Sequence, residues 1–173
     1  MIRIDVSKCS GCRRCEVNCS FFHSERVGRN GSRIKVVKIE GKGIDVPVVC
    51  QQCEERFCTK CPESAITIGQ RGEIVVSPTL CTACGACEKR CPIGAIEIFN
   101  EIALVCDLCG GDPRCVQECN LEAIVFEPKV TEAVSLKDMR KGVRGLSPEA
   151  KRLRFAKRIA RDTRTKWLAT RRE

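Results

Sequence analysis

Short apolar runs separated by turn residues, not long periodic segments, make up most of the first 128 residues. Ile66 to Ile68 and Ile74 to Val76 flank Gly69-Gln70-Arg71-Gly72, and Ile96 to Phe99 and Ile102 to Val105 flank a turn at Asn100. Each pair predicts a β-hairpin. Arg33 to Ile39 alternates and is rich in Ile and Val, Gly41-Lys42-Gly43 is a turn signal, and Ile44 to Val49 predicts the returning strand. Beyond residue 131 the period changes. Ser147-Pro148-Glu149 predicts a helix start, with serine as N-cap and proline at the first position. Leu153, Ala156, Ala160, Thr163 and Trp167 then fall at spacings of three and four, with Phe155 and Ile159 alongside, and predict one apolar stripe. A helix from 148 to 168 would be about 30 Å long. Nearly everything off the stripe is cationic, and like charges repel at i, i+4, so such a helix needs a surface to lie on.

A repeat ties the hairpins to the cysteines. Cys61 to Ile66, Cys91 to Ile96 and Cys119 to Ile124 share the pattern C-x3-A-I, which predicts units of loop, short helix, strand, strand. The chain of 173 residues holds 16 cysteines, a density that demands cross-linking by disulfides, zinc or iron-sulfur clusters. A disulfide framework needs an oxidising compartment, yet MIRIDVSKC offers no apolar export segment and no twin arginine. No apolar run reaches the ~18 residues of a membrane span. The chain is expected to be soluble and cytoplasmic. Its net charge of +9 is uneven: residues 1–130 hold 17 Lys+Arg and 17 Asp+Glu, and residues 131–173 hold 14 and 5.

The cysteines form four groups of four with none left over. Cys81, Cys84, Cys87 and Cys91, followed by Pro92, form the C-x2-C-x2-C-x3-C-P run of a [4Fe-4S] site, and Cys9, Cys12, Cys15 and Cys19 have the same spacing. Cys106, Cys109, Cys115 and Cys119 have a longer central gap, filled by Gly110 to Arg114. Cys50, Cys53, Cys58 and Cys61 end on two C-x2-C pairs, for which zinc is an alternative. Pro62, the Ala65-Ile66 repeat and the need of the third group for a partner favour iron and sulfur. In two-cluster ferredoxins the fourth cysteine of each run ligates the other cluster. Crossing over in that way gives the sets Cys9/Cys12/Cys15/Cys119, Cys106/Cys109/Cys115/Cys19, Cys50/Cys53/Cys58/Cys91 and Cys81/Cys84/Cys87/Cys61. Saturated by cysteine, four such clusters store and pass single electrons and leave no open position for a substrate. His23 is the only histidine, and with every set already complete it is expected at the surface or beside a ligand, without a catalytic role.

These readings predict an α+β fold of two ferredoxin-like 2[4Fe-4S] modules with short hairpins, the module of Cys50–Cys91 nested within that of Cys9–Cys19 plus Cys106–Cys119. The expected division is a four-cluster domain at residues 1–130 and a basic helical tail for subunit contacts at 131–173. With no flavin, nicotinamide or pterin motif, the chain is expected to be a non-catalytic subunit between a large catalytic redox subunit and an electron carrier or second redox subunit. The tail can serve its own core, a partner, or further copies of the chain assembled as a wire. The alternative is nucleic-acid or membrane-surface binding through cations such as Arg152, Arg154, Lys157, Arg158, Arg161 and Arg164. No nucleic-acid module is present, and the tail's single Trp167 gives no aromatic interleaving, so nucleic acid is not the expected partner.

Cys106-Asp107-Leu108-Cys109, the run Cys50-Gln51-Gln52-Cys53-Glu54-Glu55-Arg56-Phe57-Cys58, and Ser32-Arg33-Ile34-Lys35-Val36-Val37 together resemble the small iron-sulfur subunits that serve molybdenum and tungsten enzymes and CO dehydrogenase. Within that group the chain is most similar to the electron-transfer subunits of tungsten-dependent aldehyde oxidoreductases and benzoyl-CoA reductase complexes. The likeness covers residues 1 to about 128 and implies a tungsten enzyme of the anaerobic kind as partner. Only Thr59 and Lys60 precede Cys61, where the family's second motif has three residues.

Overall fold

A computed structural model describes residues 1–128 and 133–170. The apolar runs form eight short strands: β1 (Ile2–Ile4), β2 (Lys35–Ile39), β3 (Ile44–Val48), β4 (Ile66–Ile68), β5 (Ile74–Val76), β6 (Glu97–Phe99), β7 (Ile102–Leu104) and β8 (Ile124–Phe126). They pair only in twos, all antiparallel, as β2–β3, β4–β5, β6–β7 and β1–β8. The three hairpins form where turn chemistry predicts them. Gly43 at φ 60° and Gly72 at φ 76° supply the left-handed residues that tight reversals require.

The fourth pair departs from the repeat. Ile124–Phe126 was expected to pair with a following strand, but β8 pairs with β1 in the register Ile2↔Phe126, Arg3↔Val125, Ile4↔Ile124. Asp5 N–H donating to Ala123 O at 2.9 Å extends the ladder at one end, and Glu127 N–H donating to Met1 O at 2.9 Å extends it at the other. A three-residue strand at the start of the chain is thus completed 122 residues later, so the segment between is enclosed by its own ends.

Two apolar cores result, and the β2–β3 hairpin stands between them. Ile39, Ile44, Val46 and Val48 turn to the inner core with Ile66, Ile74, Ile93, Ile96 and Val105, while Val36 turns to the outer core with Ile2, Ile34, Leu108 and Ile124. Side chains on opposite faces of one hairpin therefore serve both cores. Each core also counts cysteines among its buried residues: Cys58, Cys87 and Cys91 inside, and Cys15, Cys19, Cys106 and Cys115 outside.

Three helices beside the cysteines are short: α1 (Arg14–Ser24), α2 (Ala86–Arg90) and α3 (Arg114–Gln117). The fourth, α4 (Pro148–Thr170), has 23 residues, about 34 Å at 1.5 Å per residue. Ser147 caps it through Oγ, which accepts from Ala150 N–H at 3.2 Å. Its buried face matches the predicted stripe at Ala156 and Ala160 and departs from it at Leu153 and Trp167, which are exposed. Ala156 and Ala160 are 0% exposed against the inner core with Phe155 and Ile159, but Leu153 is 39% exposed, and Lys151 and Arg152 are buried in its place. The alanines let the helix axis come close to β2 and β3. The rotation is set by Lys151 and Arg152, whose hydrogen bonds need that face turned inward. From Arg161 to Ala169 the helix is exposed except at Thr163, which is half-buried. Among the described residues no helix is long and apolar enough to cross a membrane.

Candidate metal centres

Each cysteine group begins in a loop and ends on or beside a helical turn. Arg13 at φ 63° precedes α1, Gly85 at φ 73° precedes α2, and Arg56 at φ 45° precedes the 3-10 turn Phe57–Thr59. This left-handed step turns the chain sharply between the exposed cysteine of each loop (Cys12, Cys84) and the buried one on the helix (Cys15, Cys87). For arginine the step is costly by about 1–2 kcal/mol, so surrounding structure must enforce it.

None of the sixteen cysteines forms a disulfide, and they crowd one another in recurring company. Burial raises Cys9, with Asp45, Cys119 and Cys12 adding to the shift. Burial pushes Cys15 up to about 12, reinforced by Glu16, Cys9 and Cys12. Cys106, Cys109 and Cys115 are all raised, first by burial, and each feels Cys19. Burial pushes Cys58 up to about 12, with Cys91 and Cys53 next, and raises Cys50, which feels Cys106, Cys91 and Cys58. Cys87 is pushed up to about 11 by burial, with Cys81 and Cys61 adding to it. Cys61 and Cys81 both pack against the inner core that holds Cys87. Cys84 lies exposed on the same loop.

Backbone N–H groups point at several of these sulfurs. Arg33 N donates to Cys19 Sγ at 3.3 Å, Gln52 N to Cys50 Sγ at 3.4 Å and Ala95 N to Cys91 Sγ at 3.3 Å. His23 is half-buried with Nε2 3.6 Å from Cys109 Sγ and 3.5 Å from Asp107 Oδ1. Burial, then Arg33, lowers the His23 pKa, and Asp107 opposes them. Asp107 is pushed up by burial, but Arg33 at 2.5 Å outweighs this and holds the carboxyl low. Clustered thiols with raised pKa values and N–H donors aimed at sulfur suit a metal that deprotonates its ligands outright, and soft sulfur donors select zinc or iron-sulfur centres.

Known proteins support iron and sulfur here. The family model "4Fe-4S binding domain" matches residues 74–97, which include Cys81, Cys84, Cys87 and Cys91. The "Aliphatic sulfonate oxidoreductase, polyferredoxin-like subunit" of Pyrococcus furiosus is 41% identical over 123 residues, 69% of this chain and 70% of that protein. The "Putative electron transport protein YsaA" of Escherichia coli is 36% identical over 135 residues, 69% of this chain and 84% of that one. The chain belongs to this family of polyferredoxin-like electron-transport proteins. It is an iron-sulfur electron-transport subunit with [4Fe-4S] binding, related to the ferredoxins associated with oxidoreductases. Among solved structures, the complex BamBC of benzoyl-coenzyme A reductase is 28% identical, covers 94% of this chain and 95% of that one, and has a TM-score of 0.44, too low to equate the two folds.

Reading along the polyferredoxin chain missed three residues at these sites. Glu16 is 0% exposed on α1; its Oε1 accepts from Val36 N–H at 2.8 Å and its Oε2 from Arg29 Nε at 2.9 Å. Lys151 and Arg152 are buried near Cys91, the first with Nζ donating to the carbonyls of Glu88 and Lys89, the second through Gly94 O and Glu97 Oε1. In the sequence all three look like solvated charges on helices. Only Gly94, at φ 67° with no room for a Cβ against the Pro148 carbonyl, hints that α4 approaches this loop.

Proposed function

We propose that the sixteen cysteines hold four [4Fe-4S] clusters in the sets Cys9/Cys12/Cys15/Cys119, Cys106/Cys109/Cys115/Cys19, Cys50/Cys53/Cys58/Cys91 and Cys81/Cys84/Cys87/Cys61, two ferredoxin-like modules with one nested in the other. The supporting observation is how the cysteines divide between the cores. Cys15, Cys19, Cys106 and Cys115 lie in the outer core with Cys119 packed against it, and Cys58, Cys87 and Cys91 lie in the inner core with Cys53, Cys61 and Cys81 packed against it. Cys50 packs against both cores and so joins the two modules into one row. When bound, such clusters supply one-electron storage and transfer. The protein's own part is to keep thiolates dry, to present N–H donors to their charge, and to fill every coordination position so that no substrate can bind.

Exposed Cys12 and Cys84 mark the two ends at which partners meet the row. The first partner is a large catalytic subunit of the tungsten aldehyde oxidoreductase type, and the second is an electron carrier or another redox subunit, in a cytoplasm where thiols stay reduced. The helical tail is the subunit contact. Much of its basic charge is already engaged, with Arg154 on the carbonyls of Lys141 and Gly142 and Arg158 on Met139 Sδ, so the stretch from Arg161 onward is the part that meets a partner or a further copy. Anaerobic reconstitution tests the reading: about sixteen irons per chain support it, whereas eight or fewer, or zinc bound by Cys50, Cys53, Cys58 and Cys61, overturn it.

A further inference from the structure

Lys151 is 1% exposed, and lysine is almost never fully buried unless paired. It sits in the first turn of α4, where a cation opposes the dipole of its own helix. Its Nζ crosses to another element and donates to Glu88 O at 3.0 Å and Lys89 O at 2.9 Å. These are C-terminal carbonyls of α2, the end at which a cation is favoured, in the turn that leads into Cys91. Both hydrogen bonds go to neutral oxygens, so the charge itself is met only through space, in part by the Glu88 carboxylate. The carbonyls that Lys151 holds lie three and two residues before Cys91, which caps α2, so the ammonium sits at the turn that delivers this sulfur.

The surroundings hold this arrangement firmly. Arg152 fastens the same loop through Gly94 O at 2.9 Å and Glu97 Oε1 at 2.7 Å. Gly94 lets the start of α4 touch down there. Capping two carbonyls needs a donor but not a buried ammonium, which a fold tolerates only against opposite charge. Cys91 offers that charge once its sulfur is a thiolate on a cluster.

We propose that Lys151 is the counter-charge of the cluster held by Cys50, Cys53, Cys58 and Cys91, and that it raises the reduction potential of this site, making it the place in the row where an arriving electron rests. The inference depends on the four-cluster reading. An electron delivered by the redox partner would make the cluster one unit more negative, and the Lys151 ammonium would stabilise that added charge through space. The C-terminal helix thereby contributes to the redox chemistry of a cluster to which it supplies no ligand.

Full-length Lys151→Gln, which keeps a donor without the charge, Lys151→Met, which keeps the length, and Lys151→Arg, which keeps the charge, are reconstituted anaerobically beside the wild type. Iron content and the midpoint of each cluster, followed by EPR during a potentiometric titration, are the readouts. Wild type with eight irons or fewer sinks the four-cluster reading before any variant is compared. With about sixteen irons present, we expect one midpoint to fall in both neutral variants by on the order of 59 mV, a tenfold shift in a one-electron equilibrium. The other three midpoints stay, and Lys151→Arg holds the wild-type value. Full iron with all four midpoints unchanged in either neutral variant reduces Lys151 to a helix cap, and so does a failure of both neutral variants to load this site.

Discussion

The two cores share one plan, cysteine loop, short helix and paired strands, yet they bury opposite charges. The outer core has an anion, Glu16, between Val36 N–H and the guanidinium groups of Arg29 and Arg13, all from within 20 residues of it. The inner core has a cation, Lys151, whose carbonyl partners are 62 and 63 residues away in sequence. In both places a charged side chain satisfies backbone groups that the small strand pairs and short helices leave open. The difference is that the buried charge of the outer core is met by residues close to it in sequence, whereas that of the inner core is supplied by a helix from the far end of the chain. A tail that looks like an appendage is, over its first half, a wall of the inner core.

The largest test of this contrast is removal of the chain beyond residue 128. We expect it to cost the inner core its sites first, about eight of about sixteen irons, because Ile93, Ile96 and the loop at Cys91 lose the cover of Ala156 and Ala160. Retention of all iron would make α4 an appendage after all. Next comes Glu16→Ala, expected to lower stability by about 1–3 kcal/mol in anaerobic denaturant unfolding, since it strands Val36 N–H, while Arg29, already half exposed, turns to water. A loss near zero would mean the outer core does not depend on its buried anion.

Smaller changes probe how closely α4 is seated. Ala156→Leu inserts a branched side chain where the exposure is 0%, so a loss of about 1–3 kcal/mol is expected, with the damage confined to the inner clusters by EPR. The mildest test is Ser147→Ala, which removes the cap on Ala150 N–H and should cost about 1 kcal/mol. An unchanged melting curve for both would show that the helix rests loosely on β2 and β3.

Hairpins and cysteine sites were legible because their signals act within a few residues. Gly43 and Gly72 permit reversals at once, and Ile–Val runs beside them have nowhere to pair but back on themselves. The β1–β8 pair was not legible, because Ile2-Arg3-Ile4 is too short to signal a strand and its partner is separated by almost the whole ferredoxin region. The middle of the buried face of α4 was legible at Ala156 and Ala160, but its first turn was not, for a related reason. Counting apolar residues puts Leu153 inside, but alanine's small size allowed the close approach and the carbonyls ending α2 drew Lys151 in.

The order of residues by itself determined the four cysteine groups and their spacing, the three hairpins and the start of α4 at Ser147, all of them consequences of backbone and side-chain chemistry within about one turn. Only the tertiary structure decided that β1 meets β8 in a sheet, that Cys61 and Cys81 pack against one core with Cys87, and that Glu16 and Lys151 are buried. Burial of a charge depends on which unpaired groups a distant element brings within hydrogen-bond reach, and spacing along the chain carries no record of that.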